Sequence, residues 1–404
     1  MFLSKYSGWE IILIGMVSLM LFFMGINESS YISISIRNFF IFSFFSLLLI
    51  TLSGISSIAG KSPYSISLPS IGMLIWLVFI VIQATVTGKM EEYYFLYYSL
   101  SIFLFLSATQ IYRLGKFDFK HVYKLFFILG VIEAVVCILQ FSGIVSSHDT
   151  YFKVKGTFDN PNTTAMYMVG CVPFALSTLL KRQSRIVLIV SLLMMLTALI
   201  IINCRTAYLG LLVVVVVYLF FNLDFKNYIN SRGITKAVIL IIMAAIILTA
   251  TSFYLYKSKK ASADGRVFIW KVSTEMIAQK PVLGYGYGFF QKEYNLFQAE
   301  YFSTHQTTDE EKLHASYVFM PYNDMLEQAI QGGMVGAIIY LVCMGMIIYH
   351  SMKRKLMAES ALILSFFAMS CTNYGIQAIP LWTLFLLCAA SVASVSEKQT
   401  VRFT

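Results

Sequence analysis

Charge is what this chain has least of. Only 12% of its 404 residues are Asp, Glu, Lys or Arg, roughly half of what soluble domains carry. A folded chain of this length with so little charge cannot cover itself for water, which excludes an ordinary soluble enzyme. The short apolar–polar alternation of an outer-membrane barrel is missing too. Neither a CxxC pair nor a Cys/His cluster occurs among the six cysteines, Cys137, Cys171, Cys204, Cys343, Cys371 and Cys388. A zinc site and a disulfide framework are therefore not expected, and these residues read as small buried apolar groups. No internal repeat, low-complexity tract or soluble domain interrupts the chain.

What is present is hydrophobic length. Apolar residues make up 58% of the chain, and its mean hydropathy is +0.75. About 20 apolar residues span a bilayer as helix, and in hydrocarbon the backbone must satisfy itself, so such runs are helices. Twelve spans are expected, at 10–25, 38–58, 69–87, 93–111, 122–144, 163–180, 186–203, 206–222, 236–256, 325–350, 359–376 and 378–396. The fold class is all-α, a polytopic membrane protein with residues 1–404 forming one transmembrane domain. The first run lacks a small-residue cleavage site after it and reads as a span, not a signal peptide.

Orientation follows the basic residues. With the N-terminus in the cytoplasm, the inside segments hold 17 Lys and Arg, whereas the short outside loops hold only Arg37, Lys89, Lys153, Lys155 and Arg205. Both termini are then cytoplasmic. The formal charge of +10 reflects this bias and calls for no nucleic acid.

Connections are short except for residues 257–322, a loop facing outward. Its stretch "DGRVFIWKVSTEMIAQKPVLGYGYGFF" predicts a helix with Asp264 as N-cap, an apolar face of Val267, Trp270, Met276 and Ile277, and an end at Pro281. An amphipathic helix beside a membrane lies in the interface, here as a cap over the outer ends of the bundle. The run of Gly284, Gly286 and Gly288 with Tyr285 and Tyr287 is no dinucleotide fingerprint, because no βαβ unit surrounds it. It suits either a sugar-facing aromatic surface or a tight interfacial turn.

Four polar clusters share the outer face. They are residues 156–162 ("GTFDNPN"), Arg205 in "NCRTAYLG", Arg266 in the long loop, and "PYNDMLEQAIQGGMVG" from 321 to 336. An arginine at membrane depth marks a functional site by default, and its planar fork suits phosphate oxygens. The alternative for Arg205 is snorkelling to lipid headgroups. For Arg266 it is an exposed cation at a helix start, a position the helix dipole disfavours. "GTFDNPN" reads equally as turn residues with Asn162 or Thr163 capping the next helix. His305 and His314 lie in the loop, where a lone histidine is most often solvated.

"KGTFDNPNTTAMYM", "NCRTAYLG", "GRVFIWKVSTEMIAQKPVLGYGYGFF" and "YNDMLEQAIQGGMVG", in this order, resemble the O-antigen ligase and Wzy-type O-antigen polymerase family over roughly residues 150–345. The resemblance implies a GT-C-type membrane glycosyltransferase of the bacterial inner membrane, with its active site on the periplasmic side. It implies transfer of a glycan from undecaprenyl diphosphate to an acceptor sugar hydroxyl, without metal or other cofactor. The partners would be that donor, an acceptor glycan (a lipid-linked repeat unit or lipid A–core) and the lipid bilayer. Arg205 and Arg266 match the family's donor-binding arginines, with Cys204 where a serine is usual. Asn323 matches the asparagine of a His-Asn motif, but Tyr322 stands where ligases carry the histidine that handles the acceptor hydroxyl. An unperturbed Tyr, with pKa near 10, is a poor base at neutral pH. His314, Asp324 and Glu327 are candidates for that role, His314 first. The missing histidine tilts the expectation toward polymerisation, and protein O-oligosaccharide transfer stays open. Asp159, Asn160, Asn162, Tyr285 and Tyr287 are expected to face the sugar–diphosphate headgroup.

A flippase or transporter is the rival from another class. Such proteins carry repeats and polar groups at the bilayer midplane, whereas here charge gathers at one face. A membrane assembly partner without chemistry would explain the spans but neither arginine.

Overall fold

The computed structural model describes residues 36–59, 66–113, 119–180, 185–222 and 260–395. Thirteen helices occur among them. They are α1 (Ile36–Ala59), α2 (Leu68–Thr87), α3 (Glu92–Arg113), α4 (Phe119–Phe141), α5 (Pro161–Leu180), α6 (Arg185–Ile202), α7 (Arg205–Asn222), α8 (Lys260–Gln279), α9 (Phe290–Thr304), α10 (Asp309–His314), α11 (Asp324–Lys353), α12 (Met357–Ser370) and α13 (Ile379–Val395). The expected spans at 10–25 and 236–256 lie outside the described residues. The other ten coincide with α1–α7 and α11–α13 to within a few residues at most ends. The exception is the span expected over 359–376, which stops at Ser370 and gives way to an irregular polar turn, residues 371–378.

Among the described residues, four helical segments can cross a membrane by length and composition: Leu68–Thr87, Glu92–Arg113, Val122–Phe141 and Asp324–Lys353. Shorter apolar helices, α13 among them, pack with these. The burial pattern is that of a protein bathed in lipid. On α2, Trp76, Phe79, Ile80 and Gln83 face inward, while Ile71, Ile75, Val78, Ile82 and Val86 form an outward apolar stripe. The innermost helix is α13, buried from Ile379 to Ala393 and packed against α3, α5, α11 and α12. A helix apolar on all sides belongs in such a core. Its Trp382 stacks on Phe385 at 5.1 Å and donates its indole N–H to Ser101 Oγ at 3.0 Å.

Helices α8, α9 and α10 form a cap with a small core of its own. Phe268, Val272, Met276, Tyr294, Tyr301 and Val318 fill it, joined by Ile330 of α11. Two expectations for α8 need correction. The helix begins at Lys260, so Asp264 lies inside it and is not its N-cap. Of the expected apolar face, Met276 enters the cap core with Phe268, Ile269 and Val272, and Trp270 and Ile277 pack against it, but Val267 is 60% exposed and faces away.

The cap is locked to the bundle at a break in α11. Gly333 sits at φ 67°, ψ −173°, a region open in practice only to glycine. The break frees backbone groups, and the glycine–tyrosine loop satisfies them. Tyr285 N donates to Ile330 O at 2.8 Å, Gly286 N to Gln331 O at 2.9 Å, and Met334 N to Pro281 O at 2.8 Å. Gln83 of α2 adds its amide N–H to Leu283 O and Gln331 O. Irregular backbone is tolerated in a membrane protein where other protein groups pair it.

Candidate active site

Three helix N-termini meet at one end of the bundle, and local chemistry explains each. Before α5, Pro161 occupies the first helical position, where its missing N–H costs nothing. Asn160 is the cap: its Oδ1 accepts from Asn162 N at 2.8 Å, and its carbonyl accepts from Thr164 N. The cap is therefore neither Asn162 nor Thr163. The residues before it are clamped by α4. Gln140 Oε1 accepts from Lys155 N and Gly156 N, its Nε2 donates to Gly156 O at 2.8 Å, and Glu133 accepts from Thr157 N at 2.9 Å and from the Thr157 hydroxyl. Lys155 itself is buried and paired with Asp149 at 3.1 Å. "GTFDNPN" thus forms a rigid polar entry to α5. Asp159, Asn160 and Asn162 are half-buried at its mouth.

Between α6 and α7 the chain turns in two residues. Asn203 takes the left-handed conformation, φ 52°, a helix-ending role that Asn fills after glycine. Cys204 then caps α7, its carbonyl accepting from Tyr208 N. Arg205 follows as the first residue of α7.

The third mouth is that of α11. Asn323 Oδ1 accepts from Leu326 N at 3.1 Å as N-cap, so its oxygen is engaged by the helix. Tyr322 precedes it at φ 53°, a strained conformation for an aromatic residue. All three mouths are joined by the turn 371–378. Thr163 of α5 meets the Tyr374 hydroxyl at 3.4 Å, and Thr206 of α7 meets Thr372 at 3.4 Å. At the start of α11, Asp324 accepts from Gly375 N and Ile376 N, each at 3.0 Å. Reading the sequence missed this turn. Its signal was the polar run Thr372, Asn373, Tyr374 and Gln377 inside a stretch otherwise apolar.

Arg266 comes down from the cap into this junction. It donates to Thr372 O at 2.5 Å, and its guanidinium lies over the Tyr322 ring, 4.9 Å from the centroid. Tyr322 in turn contacts Tyr374, with centroids 6.1 Å apart. Burial, and the like charge of Arg205, pull the Arg266 pKa below its usual value, against the opposing pull of Tyr322. The two arginines are thus brought to one place, although 61 positions separate them in sequence. Arg205, at the N-terminus of α7, and Arg266, which reaches from within α8 to the mouth of α11, carry like charges, and an anion bound there would relieve both.

Other expected residues fall elsewhere. Tyr285 and Tyr287 are not a sugar-facing surface: they are 5% and 4% exposed. The Tyr287 hydroxyl accepts from Trp76 Nε1 at 3.3 Å, and its ring meets Tyr98. Tyr285 packs in the cap core, with Lys280 over its ring. Their glycine neighbours exist for backbone pairing, which explains the alternation. Of the base candidates, Asp324 is buried and committed to the 371–378 turn. Glu327 is buried and accepts from Gln331 Nε2 at 2.8 Å and from Gln377 Nε2. His314 ends α10; its side chain lies outside the described residues. His305 stacks on Tyr301 at 4.3 Å, within 3.7 Å of Glu275. Among the described residues, no cluster of three metal-ligating side chains occurs.

A helical membrane protein whose basic residues gather under a locked cap is the class these features define. Residues 190–341 match the family model described as O-antigen ligase, and the four motifs and this match point to the same family. The matched range contains Arg205, Arg266, Tyr322 and Asn323, but neither the clamped entry to α5 nor the 371–378 turn. No curated protein matches the chain.

Proposed function

We propose that this protein transfers a glycan from undecaprenyl diphosphate to an acceptor sugar hydroxyl at the periplasmic face of the bacterial inner membrane, as a polysaccharide polymerase. The supporting observation is the convergence of Arg205 and Arg266 at the mouths of α5, α7 and α11. The arrangement suits a diphosphate: paired forks for its oxygens and helix N-termini for its charge. In the reaction the bond from the anomeric carbon to the phosphate oxygen breaks, its electron pair staying with the diphosphate. The acceptor oxygen bonds to that carbon and loses its proton. Arginines fixed in advance stabilise the charge as it develops on the leaving group. Asp324 and Glu327 are both held by protein groups, so proton loss falls to His314 or to water, late in the reaction. Asn323 Nδ2 and the Tyr322 hydroxyl remain to orient the acceptor, and Asp159, Asn160 and Asn162 to meet the sugar.

We place this chemistry in a GT-C-type architecture of twelve spans with both termini cytoplasmic. Because guanidinium groups carry the charge, turnover is expected to survive excess chelator. The description of the matching family favours a second reading, ligation to lipid A–core; Tyr322 in place of the ligase histidine favours polymerisation.

Replacing Arg205 or Arg266 by Lys in the native host tests the reading. Lys keeps the charge but loses the planar fork that grips two phosphate oxygens; losing such a preorganised donor costs about 3 kcal/mol, roughly a hundredfold in rate, so long-chain surface glycan should vanish from gels. Single-repeat glycan left on the surface identifies a polymerase. Bare core with glycan held on the carrier lipid identifies a ligase. Normal glycan length and amount in both variants would overturn the proposal.

A further inference from the structure

Residues 315–321, between α10 and Tyr322, form an irregular strap anchored at both ends, with Ala315 packed on the cap core and Pro321 buried. Val318 enters the cap core and Met320 packs toward the bundle. Tyr317 and Phe319 point the other way and touch each other, with centroids 5.2 Å apart in an edge-to-face arrangement. Tyr317 is 61% exposed.

One face of α9 holds the strap in this register. Gln291, Asn295 and Gln298 lie at helical spacing i, i+4 and i+7, so they share that face. Asn295 imitates a neighbouring strand: its Oδ1 accepts from Val318 N at 3.0 Å, and its Nδ2 donates to Val318 O at 2.8 Å. Gln298 Nε2 donates to Ser316 O at 3.2 Å, and Gln291 Nε2 to the Tyr317 hydroxyl at 3.1 Å. At the far end, Trp270 Nε1 donates to Pro321 O at 2.8 Å, one residue before the ring that carries Arg266. One exposed aromatic ring, Tyr317, and a half-buried one, Phe319, are therefore held side by side on a strap leading to the arginine junction.

We propose that Tyr317 and Phe319 form an acceptor-glycan subsite that stacks sugar rings and delivers the chain end to Tyr322 and Arg266. This deepens the transferase reading and rests on it. Rigid aromatic side chains give large contact area at small entropic cost, and a pyranose offers them an apolar C–H face. The acidic start of α10, Asp309 and Glu310 just before the strap, sets these rings apart from an anionic lipid surface. A membrane contact is the competing use of the same rings.

Purified protein in nanodiscs separates these. With carrier-lipid glycan from the native host as donor and acceptor varied, Tyr317→Ala should raise the acceptor KM about tenfold, one aromatic contact's worth, and leave kcat within twofold. Tyr317→Trp should restore KM. Arg266→Lys should abolish turnover at every acceptor concentration. The added indole fluorescence of the Tyr317→Trp variant, read as the difference from parent protein, should respond to short oligosaccharides released by mild acid from the host's own polysaccharide, and not to brominated phospholipid. Quenching by brominated lipid alone, or unchanged KM in Tyr317→Ala, overturns the subsite. If the parent shows no transfer, the function proposed above fails, and the fluorescence titration still decides whether this surface binds glycan.

Discussion

Two loops carry turn-forming residues to the mouths of helices, and they are held by opposite means. Residues 155–157 are gripped by side chains: Gln140 and Glu133 of α4 reach across to their N–H and C=O groups. Residues 281–286 are gripped by backbone, through the break in α11. The first junction requires particular side chains on a neighbouring helix. The second requires the absence of side chains on both partners. A Cβ at Gly333 would come within 2.1 Å of Val282 O, and one at Gly284 within 2.4 Å of Ile330 O. Since the cap carries Arg266 and the clamp orients α5, the two junctions set the two sides of the same site.

The largest effect follows from the backbone junction. Gly333→Ala combines a glycine-only conformation with a clash against main chain that has no room to move. It should cost about 3 kcal/mol or more, and folded protein on size-exclusion chromatography in detergent should fall sharply. Gly284→Ala should follow closely. Recovery of both variants at parental yield and thermal stability would show that the cap is not interlocked with α11.

The side-chain junction should yield more gently. Gln140→Ala takes the partner from Lys155 N, Gly156 N and Gly156 O; water entering the space left by the amide re-pairs them in part and holds the cost to about 1–3 kcal/mol. Gln140→Glu keeps the acceptor for the two N–H groups and should lose about half as much. Gly156→Ala is milder than Gly333→Ala although φ is 71°, because the nearest atoms to its Cβ are side-chain ends, Glu133 Oε2 and Thr164 Cγ2. Thermal inactivation of transfer activity ranks these variants. Equal losses at Gly156 and Gly333 would erase the distinction between the junctions.

Neither junction could be read beforehand, and the reason is range. Helix ends were legible to within a few residues because their causes are local: turn residues precede α5, although its cap is Asn160 and not Asn162 or Thr163, and a Pro–Gly-rich stretch follows α8. Arg205 stood out as isolated charge in an apolar stretch, whereas Arg266, among the charges of the long loop, was singled out by its place near a helix start and by the family resemblance. The Gly–Tyr alternation was visible, but its purpose was not, since the partner carbonyls belong to α11, some 45 positions away. For the same reason the 371–378 turn was absorbed into a span. Nothing in its own sequence announces that Asp324 accepts its N–H groups, or that its Thr372 carbonyl pins Arg266. Hydrophobic periodicity reports burial, whereas these contacts depend on which helices become neighbours.

A third tie, between exposed charges on the cap, marks the low end of the scale. Lys271 donates to Glu311 at 2.7 Å, holding α10 against α8. The Lys271 hydrogen bond, followed by that from Thr308 N, keeps the Glu311 carboxyl below its usual pKa. A carboxyl lowered by folding stabilises the fold above its unfolded value, and that contribution fades as pH falls through the folded one. The tie is therefore fully present at neutral pH and lost in acid. Screening by solvent limits it to about 0.5 kcal/mol. Glu311→Gln keeps the capping-box geometry with Thr308 and removes only the charge. At pH 7, hydrogen exchange of the α10 amides should then quicken about twofold, with α11 unchanged and the difference vanishing in high salt. A change that reaches the α11 break would mean that this pair, not the backbone interlock, fastens the cap.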